Sequence, residues 1–485
     1  MRRADELDAV VVGAGPNGLA AAVTLARAGL GVRIYERLGA VGGGTQTSEL
    51  TLPGFRHDVC SAVHPLALAS PFFREFGLGD RIRFEVPEIS FAHPLDGGRA
   101  GVAYRDLDRT VDDLGRDGAA YRALLGPLVA ASDQIADFTT HPLVRVPPHL
   151  IAPVEFGLAA LSQAGRWWNT PFAEDVAPSM ITGVSAHTIL PLPSLASAAA
   201  GLALTTYAHA RGWPIPIGGS QAIADALADD LVAHGGEIVT DTEVTSLDEL
   251  PPARTVLLDV TPAALIRLAG RRMPAAYRRT LERFRYGNGV LKVDFALSGP
   301  VPWANEAVRG AGTVHVGGTR AEVAAAENTV ARGGVPERPY VLVAQPSTFD
   351  DSRAPAGMHT LWTYTHVPAG STVDATEAVI AQIERFAPGF RDVIVATSTL
   401  TAVDMERHNP NYPGGDIAAG LPDVRQLLGR PTVSPEPWRT AMPGVYLCGA
   451  STSPGPGVHG MAGWLAARSA LRHEFGTRIL PNLAP

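Results

Sequence analysis

Three glycines, Gly13, Gly15 and Gly18, stand in the spacing G-x-G-x-x-G, with Pro16 and Asn17 inside the motif. The residues ahead of them, DAVVV, are largely β-branched, and those behind, LAAAVTLARAG, are small and helix-forming. Between a strand and a helix, the first glycine permits a tight turn, the second lets a pyrophosphate approach the backbone, and the third lets helix and strand pack closely. The opening turn of the helix adds free N–H groups and a partial positive charge for phosphates. A second β-branched run, GVRIYER, brings Glu36 and Arg37 to its end. That is the spacing at which a carboxylate accepts hydrogen bonds from the adenosine ribose hydroxyls. The constellation predicts a dinucleotide site.

Two further residues can do chemistry. Lys292, in GNGVLKVDFAL, is the only lysine among 485 residues; every other long basic side chain is an arginine. His459 lies in GPGVHG, at the turn into the last predicted helix. No hydrolase nucleophile elbow and no H-E-x-x-H motif appears. His57, His64 and His187 read as structural or pocket-lining residues, and no metal is expected. Cys60 and Cys448 cannot build a disulfide framework or a cysteine-rich metal site, and suggest a reducing compartment.

The elements that must position these residues follow from periodicity. Strand, turn, helix and strand at the N-terminus make a βαβ unit at the start of a doubly wound sheet. Residues 84–104 read as a hairpin turning at Asp96-Gly97-Gly98, and residues 112–212 as mostly helical and apolar, with Trp167 and Trp168 inside this stretch and Trp213 at its end. The stretch IPIGGSQAIADALADDLVAHGGEIVTDTEVTSL gives a turn, a helix and a strand, and Thr255 to Pro262 a further buried strand. Alternation in LKVDFAL, GTVHVGG, YVLVAQP and LWTYTHV predicts a mostly antiparallel sheet. The final segment, GVYLCGASTSPGPGVHGMAGWLAARSAL, is strand, Gly/Pro loop and helix. The fold class expected is α/β: a Rossmann-type cofactor domain from residues 1–60, 214–275 and 436–476, with an inserted α+β substrate domain from 61–213 and 276–435.

Composition bounds the function. Hydrophobic content of 46% and charged content of 18% suit a well-buried globular protein. A net charge of −8 offers no attraction to a phosphate backbone, so nucleic acid is not an expected partner. The N-terminal arginines and short apolar run are rejected as a signal peptide because they lead directly into the nucleotide motif. No segment reaches the ~18 continuous apolar residues of a spanning helix. A cytoplasmic protein is expected, with peripheral membrane contact open.

The combination of Gly13-Gly15-Gly18, Glu36 and a second glycine cluster, Gly42-Gly43-Gly44 followed by Thr45, resembles the N-terminus of the flavin amine oxidase and phytoene desaturase superfamily. The resemblance extends over nearly the whole chain. It is nearest to the phytoene dehydrogenase-related, pyridine nucleotide-disulfide oxidoreductase domain-containing group in WPIPIGGSQAIADAL, HNPNYPGGDIAAG and CGASTSPGPGVHG. It implies FAD, bound non-covalently, in a GR2-like fold. It further implies backbone contacts to adenine near Val244, and an approach of Gly449, Ala450, Gly457 and Val458 to the flavin. The amine oxidases usually carry Gly-Asp where this chain has Gly449-Ala450, and Gly-Gly-Arg where it has Gly43-Gly44-Thr45.

In several flavin amine oxidases a strand lysine holds a water against flavin N5, and Lys292 resembles it in position. An ammonium there would stabilise reduced oxygen species and relay a proton, which arginine would not do. The alternative is a strand lysine reaching solvent past its aliphatic stem. His459 is expected to face the flavin, binding substrate or tuning the cofactor. The reading is an FAD-dependent oxidoreductase taking hydride from an apolar or amphipathic substrate, by C–C desaturation or C–N oxidation, with oxygen or a quinone as acceptor. Leu- and Pro-rich stretches between 143 and 216 can line an apolar tunnel or pack a core. A flavin-dependent isomerase of carotenoid type, and a flavoprotein acting mainly by binding a partner, are the alternatives.

Overall fold

A computed structural model describes residues 7–485; Arg2 and Arg3, weighed above as part of a leader, lie outside the described residues. The first sheet is parallel throughout, in the order Val445–Leu447, Ala253–Leu258, Leu7–Val12, Val32–Tyr35, Glu237–Val239. Its strands come from the start, middle and end of the chain. Parallel strands need crossover connections and bury both faces, which is why Val10, Val11 and Val12 are all apolar with no alternation.

The helix Pro16–Arg27 leaves the sheet with Pro at its first position and is buried along nearly its whole length. It packs against Met461–Glu474 so closely that a Cβ on Gly463 would stand 1.8 Å from the Asn17 carbonyl oxygen. The alanine-rich faces of both helices permit this approach.

The second sheet has seven strands, in the order Ile394–Leu400, Gly289–Leu297, His359–Val367, Val341–Ala344, Ala311–Val316, Ile89–Leu95, Arg99–Tyr104. All neighbours are antiparallel except Ala311–Val316 with Ile89–Leu95. All nine residues of Gly289–Leu297 are buried, so both faces are covered. Leu291, Val293, Phe295 and Leu297 join a core with Val379, Ile383 and Phe390 from outlying helices. Residues between them point the other way: Val290 packs with Trp362, Tyr364 and Tyr412, and Asp294 stands 3.6 Å from the buried His57 ring.

Three expectations shift. The hairpin begins at Ile89, because Phe84–Glu85 instead pairs with Ile215–Pro216. The strand expected over Thr255–Pro262 ends at Leu258, and Pro262 opens a helix capped by Thr261. The strand expected to reach Val244 ends at Val239, where Asp241 takes a positive φ of 51° and turns the backbone out of the sheet.

Candidate active site

The C-terminal ends of the parallel strands deliver the glycine motif, Glu36 and Asp259 to one end of a cavity of about 980 Å³. Gly13 adopts φ +93°, so the turn demands glycine. A Cβ on Gly18 would lie 2.0 Å from the Gly13 carbonyl oxygen, which makes Gly18 the packing glycine and keeps it out of the cavity wall. A Cβ on Gly43 would lie 3.2 Å from Gly15 Cα, so the two glycine clusters stand back to back. Pro16, Asn17, Arg37, Gly43 and Gly44 line the cavity, and Thr45 does not. Thr45 instead donates its hydroxyl to the Gly42 carbonyl at 2.8 Å and pins the turn.

Glu36 accepts from the backbone N–H of Ala14 at 2.8 Å and of Leu38 at 2.9 Å. Each oxygen retains a lone pair for a ribose hydroxyl. Arg37 donates to the His408 carbonyl, tying this edge to the HNPNYPGG segment. Val244 lines the cavity from an irregular stretch, which is held to the second strand through Thr242 N–H to the Glu36 carbonyl at 2.9 Å.

Sequence reasoning missed Asp259. Its carboxylate accepts from Gly18 N–H at 2.9 Å and faces Gly15 and Gly449, either of which would clash with it if given a side chain, as Gly13 would with the Asp259 backbone carbonyl. Burial pushes it up to about 7, so near neutral pH it is about half protonated beside the loop where phosphates are expected. Its position right after an apolar run was the available signal.

Arg430 was missed as well. Fully buried, it donates to the carbonyls of Ala450, Gly420 and Ala418, and so holds the loop after Gly449.

Gly449, Ala450, Gly457, Val458 and His459 form the middle of the cavity wall, just before the helix Met461–Glu474. The His459 ring is committed at both nitrogens: Nδ1 accepts from Met461 N–H at 3.0 Å, and Nε2 stands 3.1 Å from the Gly455 carbonyl. That pattern selects the Nε2–H tautomer. Burial lowers its pKa to about 4. A ring so engaged shapes the loop and has no nitrogen left for acid–base work, which argues against a catalytic role for His459 although it lines the cavity.

Lys292 departs from both of its readings. It is 1% exposed, so it does not reach solvent, and it is not part of the cavity wall. Its ammonium pairs with Asp294 on the same face of the strand and lies 5.6 Å from the centroid of the Trp362 ring. Trp362 is in the wall, so Lys292 stands one layer behind it. Burial raises the Asp294 carboxyl to about 6 against the opposing pull of Lys292.

The far end of the cavity is apolar. Leu143, Pro153, Phe156, Ala160, Leu195 and Leu204 form its walls, as the tunnel reading of 143–216 anticipated, and Trp213 adds an aromatic side. Trp168 is half-buried against a core cluster and Trp167 is exposed. The floor is the second sheet, in two cross-strand rows. One runs Thr313, Ala344, Trp362, Asp294; the other runs His315, Leu342, Tyr364, Lys292. Directly opposed residues share a face, so each row is a continuous strip.

A parallel sheet with a glycine-rich turn, a long antiparallel sheet and one cavity lined from both define an α/β architecture with a Rossmann-type unit. Residues 11–76 match the NAD(P)-binding Rossmann-like domain family. The pyridine nucleotide-disulfide oxidoreductase domain-containing protein 2 of Rattus norvegicus is 26% identical, over 96% of this chain and 94% of its own. An oxidoreductase from Methanosarcina mazei superposes with a TM-score of 0.61 at 18% identity, over 96% of this chain and 100% of its own. Putrescine oxidase bound to putrescine does so with 0.57 at 17%, over 96% and 98%. The chain thus shares its overall fold with these solved structures, and its first strand-turn-helix unit with the Rossmann-like family.

Proposed function

We propose that the chain binds FAD non-covalently and removes hydride from an apolar or amphipathic substrate. One observation carries this reading: a single cavity joins the glycine turns and Glu36 to a chamber walled by leucine, phenylalanine and tryptophan. The residues suit the cofactor. Asn17 Oδ1 is buried without a hydrogen-bond partner in the cavity wall, and the paired Gly15 and Gly43 turns leave room for a pyrophosphate. Glu36 would hold the ribose, the backbone near Val244 the adenine, and the segment from Gly449 to Val458 the flavin. Asp259, its pKa raised by burial, would repel the phosphates less than an ordinary carboxylate.

FAD, when bound, supplies the hydride acceptor. The chain's own residues orient the substrate and exclude water: the apolar walls desolvate it, His459 and Arg430 hold the loop between the two ends, and Lys292 with Asp294 supports the Trp362 floor. C–C desaturation and C–N oxidation are both compatible with such a chamber, with oxygen or a quinone as final acceptor. The cytoplasm is the proposed location.

Peripheral contact with a membrane is part of the same reading. The helix Ile151–Gln163 lines the cavity through Pro153, Phe156, Gly157 and Ala160, yet leaves Ile151, Val154, Leu158 and Leu161 exposed at helical spacing. Trp167 and Arg166 lie just beyond it, with the guanidinium 4.7 Å from the ring centroid. Aromatic and basic groups beside an apolar helix face suit a bilayer interface.

The test is to purify the protein, identify its chromophore, reduce it anaerobically and follow reoxidation by oxygen. Rapid reoxidation makes it an oxidase, and slow reoxidation makes it a dehydrogenase or desaturase using another acceptor. Purified protein that carries no flavin and takes up none would overturn the cofactor assignment.

A further inference from the structure

Four polar atoms of the floor rows make no hydrogen bond, Thr313 Oγ1, Trp362 Nε1, Asp294 Oδ1 and His315 Nδ1, and of these residues only Thr313 and Trp362 belong to the cavity wall. Thr313 Oγ1 and Trp362 Nε1 are both buried, at residues 2% and 5% exposed, and neither makes a hydrogen bond. They belong to the same cross-strand row, with only the small Ala344 between them. Buried polar groups in native proteins are nearly always paired, so two orphans on one strip of cavity wall point to a ligand that completes them.

The chemistry of the pair selects the ligand atom. An indole N–H is only a donor, so whatever meets Trp362 must be an acceptor, and an ammonium group is not one. Threonine both donates and accepts. A hydroxyl can accept from Trp362 while donating to Thr313, and a carbonyl oxygen can accept from both.

The charge of the surroundings points the same way. The carboxylates of the cavity wall, Glu36, Glu243 and Asp259, and the guanidinium groups of Arg37 and Arg267 belong to the nucleotide end. At the floor, His187 Nε2 stands 2.8 Å from His315 Nε2, so one proton serves both nitrogens. Burial lowers the His187 pKa to about 3 and that of His315 well below its usual value, which leaves the pair uncharged. At the opposite end of the rows, Lys292 and Asp294 neutralise each other. Among the described residues, the floor therefore offers a counter-ion to neither a cationic nor an anionic substrate, and burying an unpaired ion costs several kcal/mol.

We propose that the floor seats an uncharged, largely apolar substrate by one oxygen, a hydroxyl or a carbonyl, held between Thr313 and Trp362. This rests on the reading of the cavity as a substrate chamber and names the class of substrate. It separates the chain from its structural neighbour bound to putrescine, a diamine.

The experiment titrates the purified protein near neutral pH with octan-1-ol, octan-2-one and octylammonium, followed by calorimetry and by fluorescence of the wall residues Trp213 and Trp362. The alcohol and ketone should bind, and octylammonium should bind at least roughly tenfold more weakly. Thr313→Val should weaken octan-1-ol binding roughly threefold to tenfold, and Trp362→Phe by a similar factor. Octylammonium binding as tight as the alcohol, or an unchanged alcohol affinity in Thr313→Val, overturns the proposal. Thr313→Val preserves shape, so it decides the matter if Trp362→Phe does not fold. Flavin content is measured on the same samples. Protein that selects the alcohol but binds no FAD supports the oxygen anchor and overturns the cofactor reading, whereas flavin-loaded protein without selectivity overturns the anchor alone.

Discussion

Lys292 and Asp294 lie two residues apart on one buried face of the Gly289–Leu297 strand and form an ion pair sealed from solvent, each 1% exposed. Such a pair is stable only while both partners are present, because removing one leaves the other charge buried and uncompensated. Lys292→Met should therefore destabilise the protein by about 3–5 kcal/mol, whereas Lys292→Met combined with Asp294→Leu should recover most of that loss. Chemical denaturation of the three proteins checks this. If Lys292→Met unfolds at the wild-type midpoint yet slows flavin reoxidation, the residue has the direct role in oxygen chemistry that its position behind Trp362 argues against.

The nucleotide end makes a separate prediction. A Cβ at Gly15 would sit 2.7 Å from Asp259 Oδ2, at the place where the backbone must stay open to phosphate. Gly15→Ala is expected to lower FAD content severely with only a modest change in melting temperature. Gly18→Ala, whose Cβ meets the Gly13 carbonyl, is expected to lower the melting temperature strongly. Flavin absorbance after denaturation and a thermal melt separate the two outcomes.

Stability should fall on mild acidification. Burial depresses the pKa of His64, His93, His209 and His459 to about 4 each. A depressed histidine is neutral in the fold and takes up its proton more readily when unfolded, so its contribution is lost as pH falls from about 6.5 toward the folded value. Asp259 and Asp294 are shifted upward, to about 7 and about 6. They act in the opposite sense, losing stability as pH rises from about 4 through those values. The histidines outnumber them and dominate below pH ~6. Melting temperature against pH should show this decline, and His64→Gln should make it shallower. A melting temperature that rises from pH ~6 to pH ~5 would contradict the assignment.

The exposed stripe on Ile151–Gln163 makes the membrane reading testable. Wild-type protein should co-sediment with vesicles of mixed neutral and anionic phospholipid, and the double variant Leu158→Asp, Leu161→Asp should remain in the supernatant with its flavin content unchanged. Wild-type protein that stays in the supernatant would show that this face does not meet a bilayer.

By itself, the sequence determined the nucleotide end. Gly13, Gly15, Gly18 and Glu36 are close along the chain, and local backbone demands, a positive φ and a tight strand-to-helix turn, restrict which residues can stand there. Alternation likewise announced the antiparallel sheet, and small residues the close helix packing. The fates of Lys292 and His459 were decided only by the tertiary structure. Lys292 was singled out by rarity, but rarity says nothing of which layer a strand face meets, and burial beside Asp294 and His57 removed it from both solvent and cavity. His459 was placed correctly at the turn into the last helix, but only the folded loop shows both ring nitrogens spent on Gly455 and Met461. Thr313, Trp362 and Arg430 lie far apart in the chain, and no local pattern marks them. Cross-strand register brings Thr313 and Trp362 to one strip of the cavity wall, and burial ties Arg430 to the loop behind it, because the free energy of leaving a polar group unpaired depends on neighbours that the chain supplies from distant segments.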